Sequence, residues 1–213
     1  MRGWGPLAGL PPVARWGVVG VAGLLLAAAV SAGVWTILQH REATARRAFA
    51  EASAAYRQAV GSTDEAALDG AARTLTQFIT AHPRASAVAQ GWYFLGNVEY
   101  RRRRFDAALV AFDEAARRDS GTVGILSRLD QGYTWEAKGE PARALEIYTQ
   151  GLTGRGPKDF LYADLLLAVG RTQEQLKQPA AAIETYRRLL REVPDAARTE
   201  DIRVRLAILG ASA

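Results

Sequence analysis

Catalysis requires a nucleophile, a base and oxyanion donors converging on one point, or a metal held by several ligating side chains. The chain has 213 residues, no cysteine and two histidines, His40 at the end of an apolar run and His82 before Pro83. Thiolate nucleophiles, cysteine-held metals, disulfides and an acylated N-terminal cysteine are therefore excluded, and the two histidines lie too far apart in sequence and context to suggest a metal cage. Gly17, Gly20 and Gly23 fall inside the apolar run rather than after a strand, so they form no dinucleotide loop. Gly154, Arg155, Gly156, Pro157 and Lys158 lack the spacing of a phosphate loop. Glu136, Glu146 and Glu184 alternate with bases along helical segments, the ordinary pattern of a solvated face. The expectation is a protein that is not an enzyme and that binds no cofactor and no metal.

Any function must then rest on the elements that present these side chains. Alanine, leucine, arginine and glutamate dominate, and prolines are few and clustered, which predicts an all-α body. The formal charge is +5, of which Arg2 and Arg15 supply two units with no acid before Gln39. The remainder is nearly balanced, so no nucleic-acid partner is expected. Arg101 to Arg104 form one dense basic run, read as a solvated helix end whose charge suits the C-terminal dipole.

From Trp16 to Gln39 the chain carries 24 uncharged residues. As a helix this run spans about 36 Å, against about 30 Å for the hydrocarbon core of a bilayer. Trp16 and Trp35 would place amphipathic rings about 28 Å apart along the axis, near the two headgroup levels. Small residues at Gly23, Ala27 and Ser31 form a ridge that another membrane helix could approach. Val30, Ser31 and Ala32 resemble a signal-peptidase site, but the apolar character continues to Leu38, which favours a retained anchor over a cleaved signal. Arg2 and Arg15 on one side face Arg41, Arg46 and Arg47 on the other, so charge alone leaves both orientations open.

Self-similarity is the strongest signal. Trp92, Leu95, Gly96, Tyr100, Phe105, Ala108, Phe112 and Ala115 are similar to the tetratricopeptide signature, with Arg103 where a turn glycine is usual and Ser120 where the closing proline would stand. The frame recurs 36 residues later at Gly132, Trp135, Gly139, Ala144, Tyr148 and Gly151. It recurs again after 38, at Gly170, Ala182, Tyr186, Leu189 and Pro194, with Pro179 at the inter-helix turn. Small residues at Gly96, Gly132, Gly170 and their alanine partners imply close helix crossing. Phe112, Tyr148 and Tyr186 are expected to fill the gaps between successive pairs, making one cooperative stack. Insertions at Gly121 to Gly124 and Gly154 to Lys158 are expected as loops between repeats.

The predicted layout is a Pro/Gly-rich tail (1–15), a transmembrane helix (16–39), a juxtamembrane helix with a degenerate repeat (41–83), three repeats (89–196) and a capping helix (197–213). Arg41 to Val60 follows the apolar run without a break, so a nearly continuous helix into the stack is expected, holding the repeats close to the bilayer. The fold class is an N-terminal transmembrane helix followed by a helical-hairpin solenoid.

In tetratricopeptide proteins the first helix of each repeat lines a concave groove that binds other proteins. The resemblance places Tyr93, Asn97, Tyr100 and Arg101 there from the first repeat, Leu129, Tyr133 and Glu136 from the second, and Leu167, Arg171 and Glu174 from the third. Tyrosines beside both charge signs suit an extended peptide or unfolded segment, although each also suits packing at a repeat seam. Asn97 matches the asparagine of repeats that clamp C-terminal carboxylates. Tyr93 and Asp164 stand where that clamp needs bases, which disfavours such a ligand.

The anchor, the basic helix from Arg41 through Arg46, Arg47, Tyr56 and Arg57 to Val60, and the few repeats after it resemble the bacterial ancillary SecYEG translocon subunit family. That resemblance implies a single-pass inner-membrane protein with a cytoplasmic N-terminus and periplasmic repeats. It implies as partners the protein-conducting translocon channel, a periplasmic folding helper or exported chains. Two other readings are a scaffold for an envelope assembly, such as division or outer-membrane biogenesis machinery, and a cytoplasmic-facing membrane adaptor.

Overall fold

A computed structural model describes residues 12–62, 64–195 and 198–211. The Pro/Gly-rich tail expected over 1–15 lies mostly outside them. Contacts group the chain into two units, Met1–Arg46 and Arg47–Ala213.

The first helix, α1 (Pro12–Val60), begins in the first unit. Large apolar side chains there are exposed: Trp16 is 77% exposed, Leu24 73% and Trp35 65%. No part of its most apolar window is buried, so this is not the core helix of a globular domain. Among the described residues it is the one helix long and apolar enough to cross a bilayer. The Thr36 hydroxyl donates to the Ala32 carbonyl at 2.8 Å, satisfying its polarity within the helix.

The second unit is all helical among the described residues. After the end of α1 come α2 (Glu65–Ala81), α3 (Val88–Arg101), α4 (Phe105–Arg118), α5 (Thr122–Ala137), α6 (Pro141–Leu152), α7 (Tyr162–Gln175), α8 (Pro179–Glu192) and α9 (Thr199–Ile208). The expected repeats are the hairpins α3/α4, α5/α6 and α7/α8. The Asp64 side chain starts α2 by accepting from the Ala66 N–H at 3.0 Å, while Pro141 and Pro179 open α6 and α8 where a missing N–H costs nothing.

All three hairpins turn in the same way. In the first, the N–H of Arg104 donates to the carbonyl of Glu99 and that of Arg103 to Tyr100, both at 2.9 Å. Glu140 and Gly139, then Gln178 and Lys177, repeat the pattern. This paired 6→1 and 5→2 bonding requires a left-handed residue just past the helix end, and Arg103, Gly139 and Lys177 adopt φ of 60°, 78° and 58°. Only one of the three is the residue type best suited to it.

Inside each hairpin an aromatic ring rests on a glycine of the facing helix. A Cβ added at Gly96, Gly132 or Gly170 would lie 2.6, 2.0 or 2.4 Å from the ring of Phe112, Tyr148 or Tyr186. These rings, expected between successive hairpins, thus also fill the space within their own. Tyr148 shares a buried cluster with Ile125 and Leu129 of α5 and Leu165 and Val169 of α7. Tyr186 does the same with Tyr162, Leu166, Ile202 and Leu206, so α9 caps the last hairpin with two fully buried side chains. Each such side chain contributes about 1.5–3 kcal/mol of burial, which no hairpin could gain alone.

Two expectations are corrected. Gly121 to Gly124 is not a loop, because α5 begins at Thr122. The Asp119 carboxylate accepts from the N–H groups of Gly121 (2.7 Å) and Val123 (2.8 Å), and Gly124 leaves room for the Asp119 carbonyl, where a Cβ would stand 1.8 Å away. The insertion at Gly154 to Lys158 is a loop, with Gly154 at φ 71°. Nor is the Arg101–Arg104 run wholly solvated. The Arg102 side chain, just past the end of α3, is 7% exposed and pairs with Glu99 of α3 at 2.7 Å and with Asp69 of α2. Desolvation makes that pairing obligatory.

Candidate functional site

The groove is built from the first helices of the three hairpins. Asn97 and Tyr100 project from α3, Asp130, Tyr133 and Glu136 from α5, and Arg171 and Gln175 from α7, into one cavity of about 580 Å³. Phe112 forms part of its wall. Helical spacing explains the set: residues three or four apart on each helix share a face, and successive hairpins lay those faces side by side.

Five of the ten groove residues expected from sequence therefore meet: Asn97, Tyr100, Tyr133, Glu136 and Arg171. The other five are placed differently. Tyr93 is half-buried, its ring 6.0 Å from that of Phe112 and 6.1 Å from that of Phe94. The Arg101 guanidinium donates to the Val60 carbonyl at 2.7 Å, closing the end of α1. Glu174 lies in a second depression of about 350 Å³ with Leu167, Arg205 and Ile208, where it pairs with Arg205 at 2.9 Å and accepts from the Tyr186 hydroxyl. Leu129, also expected in the groove, is buried in the core beside Tyr148.

The charges in the cavity are unequally satisfied. Arg171 and Glu136 pair across the seam between the second and third hairpins at 2.8 Å, and the Thr172 hydroxyl donates to the same carboxylate at 2.8 Å. Burial acts to lower the Arg171 pKa, but Glu136 more than offsets it and the pKa is raised. Arg171 also lies over the Tyr133 ring, 5.4 Å from its centroid.

Asp130 is different. Its carboxylate accepts from the Tyr93 hydroxyl and, among the described residues, pairs with no basic side chain. Burial pushes its pKa up to about 6, against the opposing effect of the Tyr93 hydrogen bond. Burial, then the neighbouring Asp130 charge, raises the Tyr93 hydroxyl in turn. Sequence reasoning did not single out Asp130 because it stands two residues before the repeat glycine, a position filled by Phe94 and Ala168 in the neighbouring repeats. Those are seam residues: Phe94 stacks on Tyr56 at 4.2 Å and Ala168 is buried. A carboxylate in a seam position was the available signal.

A tetratricopeptide-repeat family profile matches residues 164–196, covering the third hairpin. The structure is similar to that of a tetratricopeptide repeat protein from Parabacteroides merdae ATCC 43184, with a TM-score of 0.59 at 19% identity. That match covers 74% of this chain and 58% of the other, so the chain spans less than two thirds of its length. It is also similar to Pseudomonas aeruginosa pilF, with a TM-score of 0.57 at 16% identity over 78% of this chain and 69% of that one. The fold is a tetratricopeptide-repeat solenoid. A search of curated proteins finds no match to the sequence. Tetratricopeptide-repeat proteins mediate protein–protein interaction. In this one the cavity joins aromatic rings, an amide, an internal ion pair and a carboxylate with no basic partner among the described residues.

Proposed function

We propose that this chain is a membrane-anchored protein-interaction module of the bacterial inner membrane, with a cytoplasmic N-terminus and periplasmic repeats. It assists the protein-export channel by binding exported chains or handing them over. The observation that carries the reading is the groove, whose exposed ring at Tyr100, amide at Asn97 and charged side chains line a single cavity on a solenoid preceded by an apolar helix. A newly exported chain is extended and unfolded. Side chains that offer large contact area at low entropic cost, together with polar groups of both signs, suit such a ligand. The resemblance of the anchor and the basic helix after it to translocon accessory subunits supplies the channel as the partner.

The test combines topology and association. A phosphatase or fluorescent reporter fused after Ala213 should report a periplasmic C-terminus, and the protein-conducting channel should co-purify with the full chain in mild detergent. A reporter active only in the cytoplasm replaces this reading with a cytoplasmic adaptor. Periplasmic repeats that bring down division or outer-membrane assembly components without the channel replace it with an envelope scaffold.

A further inference from the structure

A half-buried carboxylate with no basic partner carries a desolvation cost that a cation from outside the chain would relieve. Asp130 lines the groove cavity, accepts from the neutral Tyr93 hydroxyl and, among the described residues, pairs with no basic side chain. The cavity's other acid, Glu136, is already matched by Arg171 and Thr172. The lining therefore holds two carboxylates and one guanidinium, a net charge of −1 centred on Asp130. Other groups that suit a cation stand nearby. The Asn97 amide nitrogen donates to the Tyr93 carbonyl at 3.0 Å, leaving its oxygen as an acceptor. The Tyr100 ring packs on Phe105 at 5.6 Å yet is 37% exposed, whereas the Tyr133 ring already carries Arg171.

We propose that the groove cavity receives a lysine or arginine side chain from an extended segment of a protein partner, with its cationic head on Asp130 and its stem along Tyr100. The inference rests on the groove being a protein-binding surface and adds the chemistry of what it selects. Charge complementarity excludes the opposite occupant: an acidic side chain or terminal carboxylate in the same place would face Asp130 with no free base to receive it. An apolar side chain would bury Asp130 further and leave it uncompensated. A cationic side chain removes the cost, because its aliphatic stem packs on a ring while its head pairs with the acid.

The experiment is selection of a random nonapeptide library against the full-length chain in mild detergent, followed by affinity measurements on the enriched peptides. Enriched peptides should share one basic position. Replacing that residue with norleucine should weaken binding at least tenfold. Asp130→Asn should weaken the parent peptide to a similar degree and leave the norleucine peptide unchanged, without lowering the thermal stability of the protein. Enriched peptides with no basic requirement, or lysine peptides held equally well by Asp130→Asn, overturn the proposal while leaving the groove a protein-binding surface. A library that yields no enrichment overturns both.

Discussion

A methyl group at Gly132 would lie 2.0 Å from the edge of the Tyr148 ring, which is fully buried and has no room to retreat. Gly132→Ala should therefore destabilise the solenoid by about 1–3 kcal/mol, even though alanine is the better helix former. Gly70, on α2, has no atom within 4 Å of such a methyl. Gly70→Ala should stabilise by about 0.5–1 kcal/mol. Urea denaturation of the two variants side by side separates close packing from helix propensity, and a stabilised Gly132→Ala would refute the packing account.

The hairpin turns give a second pair. Arg103 and Lys177 hold a left-handed conformation that glycine adopts freely, as Gly139 does in the middle hairpin. Arg103→Gly and Lys177→Gly should each raise stability by about 0.5–1 kcal/mol, and Gly139→Ala should lower it by about 1 kcal/mol. Thermal melts read all three, and a loss of stability in both glycine variants would show that the side chains of Arg103 and Lys177 matter more than their backbone strain.

Asp130 makes stability depend on pH in an unusual direction. Its pKa is pushed up to about 6 from an ordinary 3.8, so between those values the folded chain keeps a proton that the unfolded chain has released. Its contribution therefore falls as pH rises from about 4 to about 6 and stays low above that. Asp130→Asn keeps the Tyr93 hydrogen bond without the charge. It should stabilise the protein by about 1–3 kcal/mol at pH 7.5 and change little at pH 4. Equal effects at both pH values would contradict the assignment.

The Arg171 to Glu136 pair bridges two hairpins with both side chains largely shielded from solvent. Removing one partner strands the other charge, so Arg171→Met and Glu136→Gln should each cost about 1–3 kcal/mol. The double variant should cost less than their sum by at least about 0.5 kcal/mol. Strict additivity in a denaturation cycle would mean that the pair does not couple the second and third repeats.

Much of this architecture was legible because it depends on local rules. The uncharged run from Trp16 to Gln39 and the small and aromatic residues recurring from Gly96 to Tyr186 are properties of neighbours in sequence, set by helical period and side-chain size. They were enough to define an all-helical solenoid and one long apolar helix before it, and five of the residues they singled out line one cavity. The start of α5 was less legible, since it depends on the Asp119 carboxylate reaching two backbone N–H groups beyond it.

Tertiary structure decided which of the remaining polar side chains are already satisfied. Arg101, Arg102 and Glu174 look free in a linear reading, yet each is engaged by a group at least thirty positions away: Val60, Asp69 and Arg205. Asp130 looks like a seam residue, yet it faces the cavity with Tyr93 as its hydrogen-bonding partner. The reason is physical. Periodicity fixes the face of a helix on which a residue lies, but the desolvation and pairing of a charge depend on what the other helices bring to that face.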